Sequence, residues 1–176
     1  MPDLKPGMNQ LFLRDEDLRE GLALLFHAWR DLAREADPAL AAHDLGRAHH
    51  RAIYFIGRHP GLTVGALMDL LGITKQSLHR VLGELLARGI VTQRPGPVDR
   101  RERLLELSES GRAIEREITE AQRAFIAATY RNAGASAVEG FRRVLLGLVR
   151  APDTVERTDE PAPPIPPPSG GPGGRS

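Results

Sequence analysis

A mainly α fold, six amphipathic helices interrupted by one β-hairpin, is predicted by three observations. Apolar residues return every three or four positions over most of residues 15–151, as in helices that bury one face. That rhythm breaks between Ile90 and Leu107, where two short runs rich in β-branched and apolar residues flank Pro95-Gly96-Pro97-Val98-Asp99-Arg100, a segment with turn chemistry at both ends. Positive charge gathers in the same region. Lys75 to Arg103 holds seven Lys or Arg (75, 80, 88, 94, 100, 101, 103) against three acids (84, 99, 102), while the whole chain carries a formal net charge of +1. Such a concentration suits a surface that faces phosphates.

Residues 1–14 form an N-terminal arm with Pro2, Pro6, Gly7 and a short apolar patch at Leu11, Phe12 and Leu13. From Asp15 to about Ala36, Leu18, Leu22, Leu25, Trp29 and Leu32 make one stripe of a helix whose acidic first turn suits the helix dipole; Pro38 closes it. A second helix is expected from about His43 to Arg58, with Leu45, Ala48, Ala52, Phe55 and Ile56 inward, before the break at His59-Pro60-Gly61. Thr63 then caps a short helix with Val64, Leu67, Leu70 and Leu71 apolar, and Gly72 supplies the left-handed residue that ends it. The next helix, 74–88, sets Leu78, Val81, Leu82, Leu85 and Leu86 on one stripe and crowds Lys75, Gln76, Ser77, His79 and Arg80 at the amino end of the other face. Gly89 ends it, and Ile90 to Arg94 and Arg101 to Leu107 read as the two strands of the hairpin. Ser108 is placed to cap a long helix carrying Ile114, Ile118, Ala121 and Phe125. Ser136 with Glu139 forms a capping-box pattern before a last helix with Val138, Phe141, Leu145 and Leu148, which stops at Pro152. Residues 152–176 are so rich in proline and glycine that a disordered tail is expected, with polyproline character at Pro161 to Pro168.

The stretch from Leu62 to Gly111 resembles the winged helix-turn-helix of the MarR family of bacterial transcription regulators. Asp99, Arg100 and Arg101, then Leu105, Leu107 and Ser108, then Gly111 carry the likeness, matching a wing signature of Asp-x-Arg, alternating apolar residues, a hydroxyl residue and glycine. Ser108 stands where threonine is usual and still offers a hydroxyl. The likeness extends over about residues 15–150, and LGRAHHRAIYFIGRHPGLT with GITKQSL resembles the PetP-type branch of purple bacteria. It implies a mainly α winged helix-turn-helix with flanking dimerisation helices. The domain spans 15–151, with a DNA-binding core at about 43–111 and dimerisation helices at about 15–36 and 109–151. It also implies that Arg101 enters a minor groove while Asp99 holds the wing in shape, and that the protein is a homodimer on double-stranded DNA.

Residue chemistry assigns the interface more finely. Gln76 and Arg80 match the donor and acceptor patterns of adenine and guanine edges in the major groove. Thr74, Lys75 and Ser77 stand near the helix start, where phosphates bind. His79 shares the exposed face; Arg94, Arg100 and Arg101, with Arg103 as a lesser candidate, belong to the wing. A pseudo-palindromic operator read through helix 74–88 and wing 93–103 follows. Family members bind small aromatic acids beside the dimer helices, which would make Trp29, His49, Tyr54 and Arg58 a site for a small-molecule effector; the plainer alternative puts Trp29 and Tyr54 in the core.

No Gly-rich phosphate loop, nucleophile elbow or cysteine suggests catalysis, so no enzyme is expected. His49 and His50 point about 100° apart on a helix, so no metal site and no cofactor is expected. With no apolar run of membrane-spanning length and no signal peptide, the expected setting is cytoplasmic, with no membrane partner. A second reading is a non-enzymatic protein-interaction module using the basic wing and the proline-rich tail.

Overall fold

The structure is a computed structural model that describes residues 14–149, so the arm up to residue 13 and the tail 152–176 lie outside the described residues. Among the described residues seven helices and three strands follow in the order α1 (Asp15–Arg34), α2 (Asp37–Ala42), α3 (Arg47–Arg58), β1 (Leu62–Thr63), α4 (Val64–Leu71), α5 (Lys75–Ala87), β2 (Val91–Pro95), β3 (Arg103–Leu107), α6 (Glu109–Ala133) and α7 (Ala135–Leu148). The mainly α expectation holds. The chain divides into two units, the first ending at Gly134 and the second beginning at Ala135.

The core of the first unit is built by α2 to α5, the sheet and one point on α6. Leu40, Ala52, Ile53, Ile56, Leu67, Leu78, Val81, Leu85, Leu105 and Ile118 are almost fully withdrawn from solvent. At roughly 1.5–3 kcal/mol for each large side chain buried, this cluster is the main reason the unit folds. The stripe expected on α5 is in place: Leu78, Val81, Leu82 and Leu85 are buried, which leaves Lys75, Gln76 and Arg80 outside.

Local chemistry sets the ends of the central helices. The Thr63 hydroxyl accepts from the Ala66 amide, and Gly72 closes α4 with φ 61°. Thr74 caps α5 in the same way, accepting from the Ser77 amide. At the other end Gly89 has φ 65°; its amide donates to Leu86 and the Ile90 amide to Leu85, so the last carbonyls of α5 are satisfied by a left-handed turn that an L side chain resists.

The sheet has the order β1-β3-β2, with both pairings antiparallel. Val91 faces Leu107, Gln93 faces Leu105 and Pro95 faces Arg103, so one face runs from the core outward along the wing. β1 is two residues long, with Leu62 opposite Leu105, and sequence periodicity did not reveal it.

Several expectations are corrected. Pro38 does not close α1: it occupies the first turn of α2, where its missing N–H costs nothing, and α2 is an additional helix. The helix expected from His43 begins at Arg47 instead, because His43 ends α2 and Asp44 takes a left-handed φ of 50°. Ala48 is exposed and Ile53 is buried in its place. β3 starts at Arg103, not Arg101, because the Glu102 amide donates to the Asp99 carbonyl and closes the loop first. β2 starts at Val91, not Ile90, and runs through Pro95. In the second unit Ala135 opens α7, putting Ser136 inside the first turn and not at its cap. Trp29 and Tyr54 are not core in a single chain, at 65% and 42% exposure.

Candidate nucleic-acid interface

The residues expected at a nucleic-acid interface fall on the exposed face of α5 and on the wing. Packing of the α5 stripe settles which side chains look outward, and Lys75, Gln76, Ser77, His79 and Arg80 are all exposed. Thr74 and Ser77 serve the cap: the Thr74 hydroxyl donates to Ser77 Oγ at 3.0 Å, so both also shape the helix start. Lys75 is the only lysine among the described residues.

The wing tip is shaped by Asp99, whose carboxylate accepts from the Arg101 amide at 2.8 Å. The Gly96 amide donates to Glu102 across the loop. These bonds leave Arg100 and Arg101 outside, and among the described residues neither has an ion-pair partner. Arg94 differs. It lies on the other face of the hairpin and its Nε donates to Glu106 at 2.8 Å, so its charge is already matched.

Helix and wing flank one cleft of about 530 Å³, lined by His79, Leu82, Gly83 and Leu86 of α5, Gln93 and Arg101 to Arg103 of the wing, and Thr63, Val64 and Gly65. Of the exposed polar residues of α5 only His79 reaches this cleft, where it meets Arg101 of the wing. Arg103 and Gln93 line it too. Gln93 is the first residue of the predicted wing but not one of its named contacts, although its place opposite Leu105 follows from strand alternation.

Behind the interface α5 is lashed to the α2–α3 junction. Arg88 donates from one guanidinium to the carbonyls of His43 and Asp44. His49 Nε2 lies 2.8 Å from Glu84 on α5, and His43 Nε2 lies 2.8 Å from Glu117 on α6. Arg51 donates to the Leu71 carbonyl at the end of α4. Arg47 pairs with Asp37; hydrogen bonding to that guanidinium is the main cause holding the Asp37 carboxyl below its ordinary value. Burial holds the His50 imidazole below its usual value, opposed by Glu115, Asp37 and a hydrogen bond with Gln122.

The four effector-site candidates are not gathered by this cleft. Trp29 stands exposed on α1, Tyr54 packs edge-on against Phe55 with ring centres 5.5 Å apart, Arg58 is exposed at the end of α3, and His49 is engaged as described. Among the described residues no three His, Cys, Asp or Glu are grouped to hold a metal, and no helix is long and apolar enough to cross a membrane.

Comparison with known proteins agrees on the architecture. Residues 43–102 match the sequence profile of the MarR family. The HTH-type transcriptional regulator PetP of Rhodobacter capsulatus is 54% identical over 143 residues, covering 81% of this chain and 86% of that relative. A crystal structure of a MarR family transcription regulator superposes with a TM-score of 0.68 at 18% identity, covering 80% of this chain and 93% of the other. Streptococcus pneumoniae FabT, solved in complex with DNA, gives 0.64 at 20% identity, covering 77% and 94%.

Proposed function

The chain belongs to the MarR family of transcription regulators, and we propose that it is a cytoplasmic homodimer that reads a pseudo-palindromic operator with α5 in successive major grooves and the wing alongside. DNA-binding regulation of transcription is the activity of the family, which is not one of enzymes. The observation that supports the finer reading is that His79 of the exposed α5 face and Arg101 of the wing line one cleft. Gln76 and Arg80 read base edges; Thr74, Lys75, Ser77 and His79 meet the backbone; Arg101 enters the minor groove. Arg94 contributes only when Glu106 releases it.

Dimerisation follows from α1, which buries no residue of its own and shows Leu18, Leu22, Phe26 and Trp29 to solvent. One module makes few phosphate contacts, and linking two gains avidity. A small-molecule effector controls such a dimer by binding one separation of the two reading helices more tightly than another. Trp29, Tyr54 and Arg58 are the exposed candidates for its site.

Selection of bound duplexes from a random pool tests the reading. A recovered pseudo-palindrome with half-sites about 10 base pairs apart supports it. Binding that fades uniformly with salt and enriches nothing would instead favour a basic protein-interaction surface. Within the selected site, Arg101→Ala is expected to weaken binding about tenfold on nearly every sequence, measured by titration at fixed salt; an unchanged affinity would remove the wing from the interface. Gln76→Ala is expected to change which base is preferred at one position of each half-site, by about 1–3 kcal/mol of lost discrimination. A repeat selection that returns the same motif would exclude direct readout by Gln76.

A further inference from the structure

The connection between the α2–α3 junction and α5 has a chemistry of its own. His49 is the third residue of α3, and its Nδ1 lies 3.0 Å from the backbone nitrogen of Gly46, the residue that caps that helix. A backbone N–H can only donate, so Nδ1 must present its lone pair. The ring proton therefore sits on Nε2, which donates to Glu84 Oε2 at 2.8 Å. The other carboxylate oxygen of Glu84 faces Arg80 Nη1 at 4.0 Å, one turn back along α5. Gly46, His49 and Glu84 thus form one directed hydrogen-bonded series, and Arg80, a side chain assigned to base reading, stands within ion-pair range of its end. His49 is largely shielded, its side chain 12% exposed, while the Glu84 side chain is 48% exposed.

We propose that His49 is a positioning residue for sequence readout: through Glu84 it biases the placement of Arg80 before DNA arrives. The inference rests on the DNA-reading role of α5 given above. A carboxylate fixed beside Arg80 biases the rotamers of that exposed guanidinium, so the strut favours the correct base more than it favours DNA in general. Ordinary helix capping by His49 would act on α3 alone and leave base choice untouched.

Two half-replacements separate these roles. His49→Asn keeps an oxygen near the Nδ1 position to accept from Gly46 but stops short of Glu84. His49→Gln reaches Glu84 with an amide N–H. The ratio of affinities for the selected duplex and for a scrambled duplex, measured at one salt concentration, is expected to fall about tenfold in His49→Asn and to stay near that of the unaltered chain in His49→Gln. Glu84→Ala leaves the cap intact and is expected to match His49→Asn. Adding His49→Asn to Arg80→Ala should cost nothing further, because the strut acts through the missing guanidinium. An unchanged ratio in both His49→Asn and Glu84→Ala overturns the proposal, as does an equal loss in the Asn and Gln variants that tracks a loss of thermal stability. If the unaltered chain prefers no duplex, the regulator reading itself fails and this inference fails with it.

Discussion

Gly111→Ala is expected to destabilise the protein by about 3 kcal/mol or more, seen as a lower denaturant midpoint at fixed protein concentration. A Cβ at this position would overlap the carbonyl oxygen of Ile90, a backbone atom that cannot turn aside. That carbonyl is held in place: it accepts from the Ser108 amide at 3.0 Å and from the Ser108 hydroxyl at 3.2 Å. The same hydroxyl accepts from the Gly111 amide. Relief of the overlap would have to move the start of α6 away from the end of α5, breaking the cap and the strand junction together. Gly83→Ala is the control. A Cβ there meets nothing, and Gly83 lies inside α5, so the exchange should stabilise by about 0.5–1 kcal/mol. Equal effects at the two glycines would show that close approach is not what Gly111 is for.

Joint substitution of Leu22 and Trp29 by glutamate is expected to turn the proposed dimer into a folded monomer and to lower operator affinity by about 10²–10⁴. Both residues are more than half exposed in the single chain, at 55% and 65%, and α1 contributes none of the buried core. The variant should therefore keep its helix content by circular dichroism while its mass in sedimentation equilibrium halves. A variant that stayed dimeric and bound the operator normally would place the two-fold contact elsewhere. Wing contacts are untouched by this change, so residual binding should be non-specific and steeply dependent on salt.

The parts of this fold that could be read from the sequence are those set by near neighbours. Thr63, Thr74 and Ser108 each cap a helix with a partner three residues on, and Gly72 and Gly89 end helices at the next turn. The exposed face of α5 is arithmetic once its buried stripe is known. α2 was missed because proline after a helix signals an end and proline at a first helical turn signals a start, and six residues are too few for periodicity to decide. The hairpin edge was misjudged at Arg101 because the bond from Glu102 to Asp99 leaves no mark on composition. The strut between His49 and Glu84 spans 35 positions and matches no spacing rule, so it came only from the structure. Trp29 read as either core or site; its exposure shows that one chain alone does not cover it.

The two-residue strand β1 has a kinetic meaning. Leu62 pairs with Leu105, and everything between them, both helices of the reading module and the first strand of the wing, lies inside the loop this pairing closes. Hairpin β2-β3 is local and forms on the microsecond scale of hairpins, whereas the β1 rung must wait until its distant ends are brought together. The Gly61 amide donates to the Leu105 carbonyl beside this rung and completes the clasp. The clasp ties the start of α4 to the wing strand, so α4 and α5 are joined to the hairpin at both ends.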